Sequence, residues 1–233
     1  MQIFRGTFAK APLNDFRKAE KSMGKYEHYL FDLDGTLTDP GMGIKNSIRY
    51  ALEKFSLPIP EEAILDTFIG PPLLDSFALH CGVSREDAQT LLRLYREYFS
   101  DRGLFENTVY DGIPETLSAL QQRGAKLYLA TSKPEPYALR ILEHFDLLPY
   151  FTFVGGSTMD ETRVEKADVI GYVLENTEID TARAVMVGDR KYDVAGGRAW
   201  KMDTVGVLFG YGNRDELADA TYLIEKPLDL LNV

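Results

Sequence analysis

Cysteine is nearly absent from this chain, with Cys81 alone among 233 residues. That excludes an internal disulfide framework and a cysteine-rich zinc site, and it suits a reducing compartment, so the cytoplasm is the expected location. Histidine is scarce as well, and His28, His80 and His144 have no metal-ligand spacing. No apolar run approaches the roughly 18 residues that a spanning helix requires, and residues 1–25 lack the continuous apolar segment of a signal peptide. Positive charge is in deficit: 26 Lys and Arg face 36 Asp and Glu, for a net charge of -10. Duplex nucleic acid is bound mainly by clustered cations meeting phosphates, so neither a nucleic-acid polymer nor a membrane is the expected partner. A small anionic metabolite remains open, because one metal ion and two cations reverse the potential inside a pocket.

What is present is ordinary globular composition, 45% hydrophobic and 27% charged, in a chain long enough for one large domain or a domain with an insertion. Residues 1–24, "MQIFRGTFAKAPLNDFRKAEKSMG", are mixed and without periodicity. They read as a peripheral extension, for which an alternative upstream start is explanation enough. From His28 onward apolar runs alternate with helical patterns. "HYLFDLD", "AKLYLATS", "YFTFVGG", "ARAVMVGD" and "MDTVGVLFG" are the strand candidates. Their near-continuous apolar character suits a parallel sheet covered on both faces. "IPETLSALQQRG", "EPYALRILEHF" and "KADVIGYVLEN" carry helical spacing between them, so βαβ units follow.

One segment breaks the alternation. Between Asp39 and Asp111 no good strand is evident, only helical patterns such as Ile44, Ile48, Leu52 and Phe55. An insertion of that length must pack its own small core. The expected architecture is α/β: a Rossmann-like parallel-sheet core over residues 25–39 and 111–233, and an inserted α-helical cap over 40–110. Hinges are expected near Asp39 and near Tyr110-Asp111-Gly112.

Ligands of open parallel sheets bind outside the carboxyl ends of the strands. There the chain places Asp32-Leu33-Asp34-Gly35-Thr36, then Thr131-Ser132-Lys133, then Asp189 with Asp193 four residues on, while Lys166 opens the helix after the third strand. Asp32 and Asp34 share a face at i and i+2, where two carboxylates need a cation, a proton or both. Carboxylates, a carbonyl and water are what Mg²⁺ prefers, and the hydroxyls of Thr131 and Ser132 with the Lys166 ammonium suit a phosphate. Taken singly, each motif has a plainer reading. Asp-Leu-Asp-Gly is a common turn, Lys166 a solvated helix lysine, Lys133 and Arg163 surface charges, Thr131 a strand-end cap and Asp193 a helix N-cap. Tyr95, Tyr98 and Phe99 read as core, and "FIGPP" reads equally as a rigid break or as a substrate-facing loop with Gly70 as a specificity position.

Together, "DLDGTLTD", the "LATS" strand end, Lys166 and "VMVGDRKYD" resemble the haloacid dehalogenase superfamily of phosphatases, over residues 26–233 and in the phosphoglycolate-phosphatase-like branch. "FIGPPLLDSF", "GSTMDETRVEKADVI" and "GVLFGYGNRDEL" resemble its 5'-nucleotidase-like subgroup. The resemblance implies Asp32 as nucleophile and Asp34 as general acid and base. Thr131 and Lys166 would hold the phosphoryl group, and Mg²⁺ would be bound by Asp32, the Asp34 carbonyl and Asp189, with Asp193 as ligand or support. It implies hydrolysis of a small phosphorylated metabolite, first a nucleoside monophosphate. Phosphoglycolate or a sugar phosphate, a phosphosugar mutase and a catalytically silent binder are the alternatives. Thr36 favours hydrolysis, since mutases of this kind tend to carry another residue there. The oligomeric state is left open.

Overall fold

The computed structural model describes residues 24–233, so the extension expected over residues 1–24 lies outside the described residues apart from Gly24. In chain order the strands are β1 (His28–Phe31), β2 (Thr38–Asp39), β3 (Thr108–Val109), β4 (Lys126–Pro134), β5 (Phe151–Ser157), β6 (Ala184–Gly188), β7 (Asp203–Val207) and β8 (Tyr222–Ile224). Six of them form one sheet in the order β5-β4-β1-β6-β7-β8, with every neighbouring pair parallel. β1 is central, with Tyr29 level with Leu127 on one side and Val185 on the other.

Alternation along β1 divides the core into two layers. Tyr29 and Phe31 face the larger cluster, which includes Ile113, Leu117 and Leu120 of α5 (Ile113–Gln122) and Ala138, Ile141 and Leu142 of α6 (Glu135–His144). Leu30 faces the other way, onto Tyr128, Met186 and the Val169, Ile170 and Val173 stripe of α7 (Lys166–Glu175), beside which α8 (Lys191–Ala199) packs. All four β1 residues are buried, the burial that makes strands of a covered parallel sheet read as continuous apolar runs.

Helices α1 (Gly41–Lys54), α2 (Glu62–Asp66), α3 (Leu73–Cys81) and α4 (Arg85–Tyr98) occupy the insertion, and α4 ends in a π-helical turn, Phe99–Gly103. Ser84 caps α4 by accepting the Asp87 N–H, which satisfies one of the free donors at a helix start. The inserted helices bury Ile48 and Leu52 of α1, Phe77 of α3 and Leu91 and Tyr95 of α4 against Leu65 and Phe68. Each fully buried aliphatic side chain of this size contributes roughly 1.5–3 kcal/mol.

Two short elements depart from the sequence expectation. β2 and β3 form an antiparallel ribbon, Thr38 opposite Val109 and Asp39 opposite Thr108, where the chain enters and leaves the cap. Two residues per strand are too few to show alternation. β8 adds a sixth strand at the sheet edge, three residues long and only partly buried, and the strand expected over 202–210 ends at Val207. Among the described residues no helix is long and apolar enough to cross a membrane.

The strand order has a consequence for function. From β1 the chain builds outward through β4 to β5, then crosses back to build β6, β7 and β8 on the opposite side. The order reverses at β1, so a crevice opens at its carboxyl end. Leu30, fully buried in the thinner layer, tests the packing behind it. Leu30→Ala should lower stability by about 2–5 kcal/mol in urea unfolding, whereas Leu79→Ala, at a side chain 76% exposed on α3, should change it by less than about 0.5 kcal/mol.

Candidate active site

Asp32 follows β1 directly and continues its pairing, with its N–H donating to the Val187 carbonyl at 2.9 Å. The chain then turns sharply, as Gly35 N–H donates to the Thr38 carbonyl at 2.7 Å and Leu37 N–H to the Leu33 carbonyl at 2.9 Å. Gly35 has φ +81, and a Cβ there would lie 2.1 Å from Asp189 Oδ2. Only glycine permits both that backbone and that approach. Asp189 ends β6 in the same way. Its Oδ2 accepts the Tyr211 N–H at 2.8 Å, and its Oδ1 is buried without a hydrogen-bond partner.

Lys166, the first residue of α7, joins the two carboxyl edges. Its Nζ lies 2.8 Å from Asp32 Oδ1 and 2.7 Å from Asp193 Oδ1, and it donates to the Ala130 carbonyl at 3.0 Å. Asp193, in the first turn of α8, accepts the Arg190 N–H on Oδ2 at 3.0 Å. Thr131 is buried near the end of β4, and its Oγ1 accepts the Lys133 N–H at 3.2 Å, which leaves its own proton to donate elsewhere. Ser132 lines the same cavity, yet its hydroxyl donates to the Val164 carbonyl at 3.0 Å. It therefore ties down the loop before α7. Gly70 reaches the cavity wall from the cap.

These residues line one cavity of about 410 Å³ between the strand ends and the cap, with Tyr95, Phe99 and Phe68 of the cap on its apolar side. Tyr98, expected in the core with Tyr95 and Phe99, is only half-buried, its hydroxyl donating to Glu106 Oε1 at 2.8 Å, whereas Tyr95 and Phe99 are buried. Their position in the wall gives them a second surface that helical spacing alone does not reveal.

The family model for haloacid dehalogenase-like hydrolases matches residues 29–207. The chain belongs to that family. It is a phosphatase, in keeping with its relatives and structural neighbours. A 5'-nucleotidase of Pseudomonas aeruginosa is 42% identical over 193 residues, which cover 83% of this chain and 87% of that protein. The tyrosine-protein kinase PtkA of Mycobacterium tuberculosis is 42% identical over 187 residues, covering 80% of this chain and 63% of PtkA. Among solved structures, a predicted phosphatase from Clostridium acetobutylicum superimposes with a TM-score of 0.85 at 42% identity, covering 89% of this chain and 97% of that one.

The hydrolase also holds residues that the sequence reading passed over. Lys133 is buried, its Nζ 2.5 Å from Asp34 Oδ2 and 4.7 Å from the centre of the Phe99 ring. The signal was available: Lys133 stands two residues after Thr131 on β4, and strand alternation puts both on one face. Tyr211 was not legible, because its contribution is a main-chain N–H delivered from a distant loop.

Asp32, Asp34, Asp189 and Asp193 face Lys133 and Lys166, so the hydrolase gathers four carboxylates and two ammonium groups. Burial pushes the Asp34 carboxyl up, against the opposing effect of Lys133. It raises Asp189 strongly, assisted by the Asp193 and Asp32 charges, and lifts Asp193 to about 6 although Lys166 opposes the shift. Burial also works against the Lys166 charge, but Asp193 and Asp32 hold its ammonium above the ordinary lysine range. When all four carboxylates are ionised, two negative charges are left over, the amount one divalent cation neutralises. Asp32, Asp189 and Asp193 each offer an oxygen within 4.8 Å of the others. The buried, unpartnered Asp34 Oδ1 and Asp189 Oδ1 leave this all-oxygen set suited to Mg²⁺.

The raised carboxyls fix a pH dependence. In the unfolded chain they titrate at about 4 and Asp193 is lifted to about 6 in the folded one, so the native state binds more protons than the unfolded chain between about pH 4 and about pH 6. Metal-free stability from these groups is therefore present at low pH and lost as pH rises through that window. A divalent cation competes with those protons. Mg²⁺ should raise the Tm more at about pH 7.5 than at about pH 5, measured by melting curves against chelator, and an equal or larger shift at the lower pH would contradict the assignment.

Proposed function

We propose that this chain is a Mg²⁺-dependent phosphomonoester hydrolase that works through an aspartyl-phosphate at Asp32, with nucleoside monophosphates as its substrates. The observation that carries the chemistry is the Asp32 carboxylate in the cavity, with Lys166 Nζ at 2.8 Å and Asp34 two residues on. In this reading Asp32 attacks phosphorus, and Asp34 gives its proton to the departing ester oxygen. Asp34 then takes a proton from the water that cleaves the acyl phosphate. The Thr131 hydroxyl and Lys166 hold the phosphoryl oxygens, which is the positioning and charge neutralisation that phosphoryl transfer chiefly needs. Asp32, the Asp34 carbonyl and Asp189 would hold Mg²⁺. Asp193, already engaged by Lys166 and the Arg190 N–H, would support them. Bound there, the ion would supply charge neutralisation to the phosphoryl group.

The substrate class rests on the remainder of the cavity. Each cation in its wall faces an acid: Lys166 faces Asp32 and Asp193, Lys133 faces Asp34, Arg96 faces Glu161 and Arg190 faces Glu216, while Arg85 and Asp75 form a solvent-exposed pair. A leaving group with its own carboxylate, such as that of phosphoglycolate, would have to displace one of these pairs. A neutral, planar group meets Tyr95, Phe99 and Tyr137 instead, and a volume of about 410 Å³ suits a nucleoside better than a two-carbon acid. The 5'-nucleotidase relative supports the same choice.

Phosphate release across nucleoside monophosphates, phosphoglycolate and sugar phosphates, with Mg²⁺ and with chelator, tests both halves. Nucleotides should be preferred, and Asp32→Asn should lose roughly a thousandfold or more in kcat. Retained turnover in that variant would remove the covalent route. Broad activity would keep the chemistry and discard the nucleotide, and transfer from ATP to a tyrosine peptide would move the chain toward its kinase relative.

A further inference from the structure

Gly70 and the Pro71-Pro72 pair after it line the cavity without a part in the chemistry above. Their surroundings give them one. Arg190 leaves the loop after β6 and donates through Nη1 to the Ile69 carbonyl of the cap, while its Nε donates to Glu216 Oε1 at 2.8 Å. Glu216 is itself fixed in the core, since the same oxygen accepts the Lys191 N–H at 3.1 Å and its own N–H donates to Asn213 Oδ1 at 3.0 Å. Gly70 has φ +106, and a Cβ there would lie 2.7 Å from Arg190 Nη1. A side chain at residue 70 would be strained by that φ and would push the guanidinium off the Ile69-Gly70 turn.

The other end of Arg190 is in the acid cluster. It follows Asp189 directly, and its N–H donates to Asp193 Oδ2. One residue thus touches Asp193 of the acid cluster by its main chain and the cap by its side chain. Across the mouth, Arg96 of α4 reaches back to Glu161 at 3.2 Å and the Met159 carbonyl at 3.3 Å. Those side chains are 26% and 32% exposed, against 17% for both Arg190 and Glu216. Exposed pairs are weakened by solvent and salt, so the Arg190 side is the firmer attachment.

We propose that Arg190, braced by Glu216, is a positioning residue that holds the Ile69-Gly70 turn of the cap down over the catalytic cavity, and that Gly70 is glycine to receive it. A charged donor on a main-chain carbonyl is a strong contact, yet its release leaves no second charge buried. That suits a cap which must open for substrate and close over the reaction. Phe68, Gly70, Pro71 and Pro72 all line the cavity that contains Asp32 and Lys166, so lifting this turn admits water at the phosphate end.

The test combines hydrogen exchange with kinetics on the full chain. Arg190→Met, Arg190→Lys, Glu216→Gln, Gly70→Ala and the Arg190→Met/Gly70→Ala double variant would be compared with wild type, each checked for folding by circular dichroism. Exchange would be read over residues 68–77, and kcat and KM on adenosine monophosphate and on p-nitrophenyl phosphate. The proposal expects Arg190→Met to speed exchange in that segment and to lower kcat/KM by about tenfold to a hundredfold on both esters, the scale of losses from misplacement. Glu216→Gln should do the same more weakly, Arg190→Lys should recover part of the loss, and Gly70→Ala, strained by its own φ in either background, should cost less in the Arg190→Met background than in wild type. Unchanged exchange alongside reduced turnover would confine Arg190 to the acid cluster and overturn the proposal, as would fully additive effects of Arg190→Met and Gly70→Ala. Preference for the nitrophenyl ester in wild type would discard the nucleotide reading alone, since exchange and additivity decide the latch independently of substrate.

Discussion

Lys166 Nζ lies between Asp32 and Asp193 at the carboxyl edge of the sheet, and the surrounding structure is arranged so that this buried charge and its acids can coexist. Two like charges about 4 Å apart repel by roughly 4 kcal/mol near a protein surface, and burial adds a desolvation cost for each. The cluster meets that cost with local partners. The Tyr211 N–H serves Asp189, the Arg190 N–H serves Asp193, the Ala130 carbonyl receives a Lys166 proton, and Lys133 faces Asp34. What remains is a net negative pocket with unpartnered carboxylate oxygens, which is a poor arrangement for stability alone and a good one for a cation followed by a phosphate.

The cap depends on the same constraint. A cavity formed only by strand ends would leave these charges open to water, where each interaction is weakened. The inserted helices supply an apolar wall in Phe68, Tyr95 and Phe99, and Phe99 places its ring over Lys133. Cation–π contact of this kind strengthens as water is excluded. Cap and core meet beside the acid cluster, through Lys133, Arg190 and Arg96.

The legible part of the site was legible for one reason: Asp32, Asp34, Thr131, Asp189 and Asp193 each stand at the end of an apolar run or within a turn of it. A polar residue in that place is conspicuous. Lys133 has the same register and was passed over because a lysine beside a turn usually reads as surface. Ser132 also stands there, but only its hydrogen bond to Val164 shows that its hydroxyl is committed. β2, β3 and β8 escaped notice because two or three residues carry no measurable period.

By itself the sequence determined the alternation of strands and helices, the place of the inserted helices and the identity of the acids at the strand ends, because each follows from local periodicity. Strand order, the meeting of residues 32, 166, 189 and 193, and the grip of Arg190 on the Ile69 carbonyl were decided only by the tertiary structure. Those depend on separations of up to 161 positions in the chain for the acids and their lysine, or on main-chain groups whose donors and acceptors every residue shares. A pattern of side-chain types cannot specify which distant carbonyl an arginine will find.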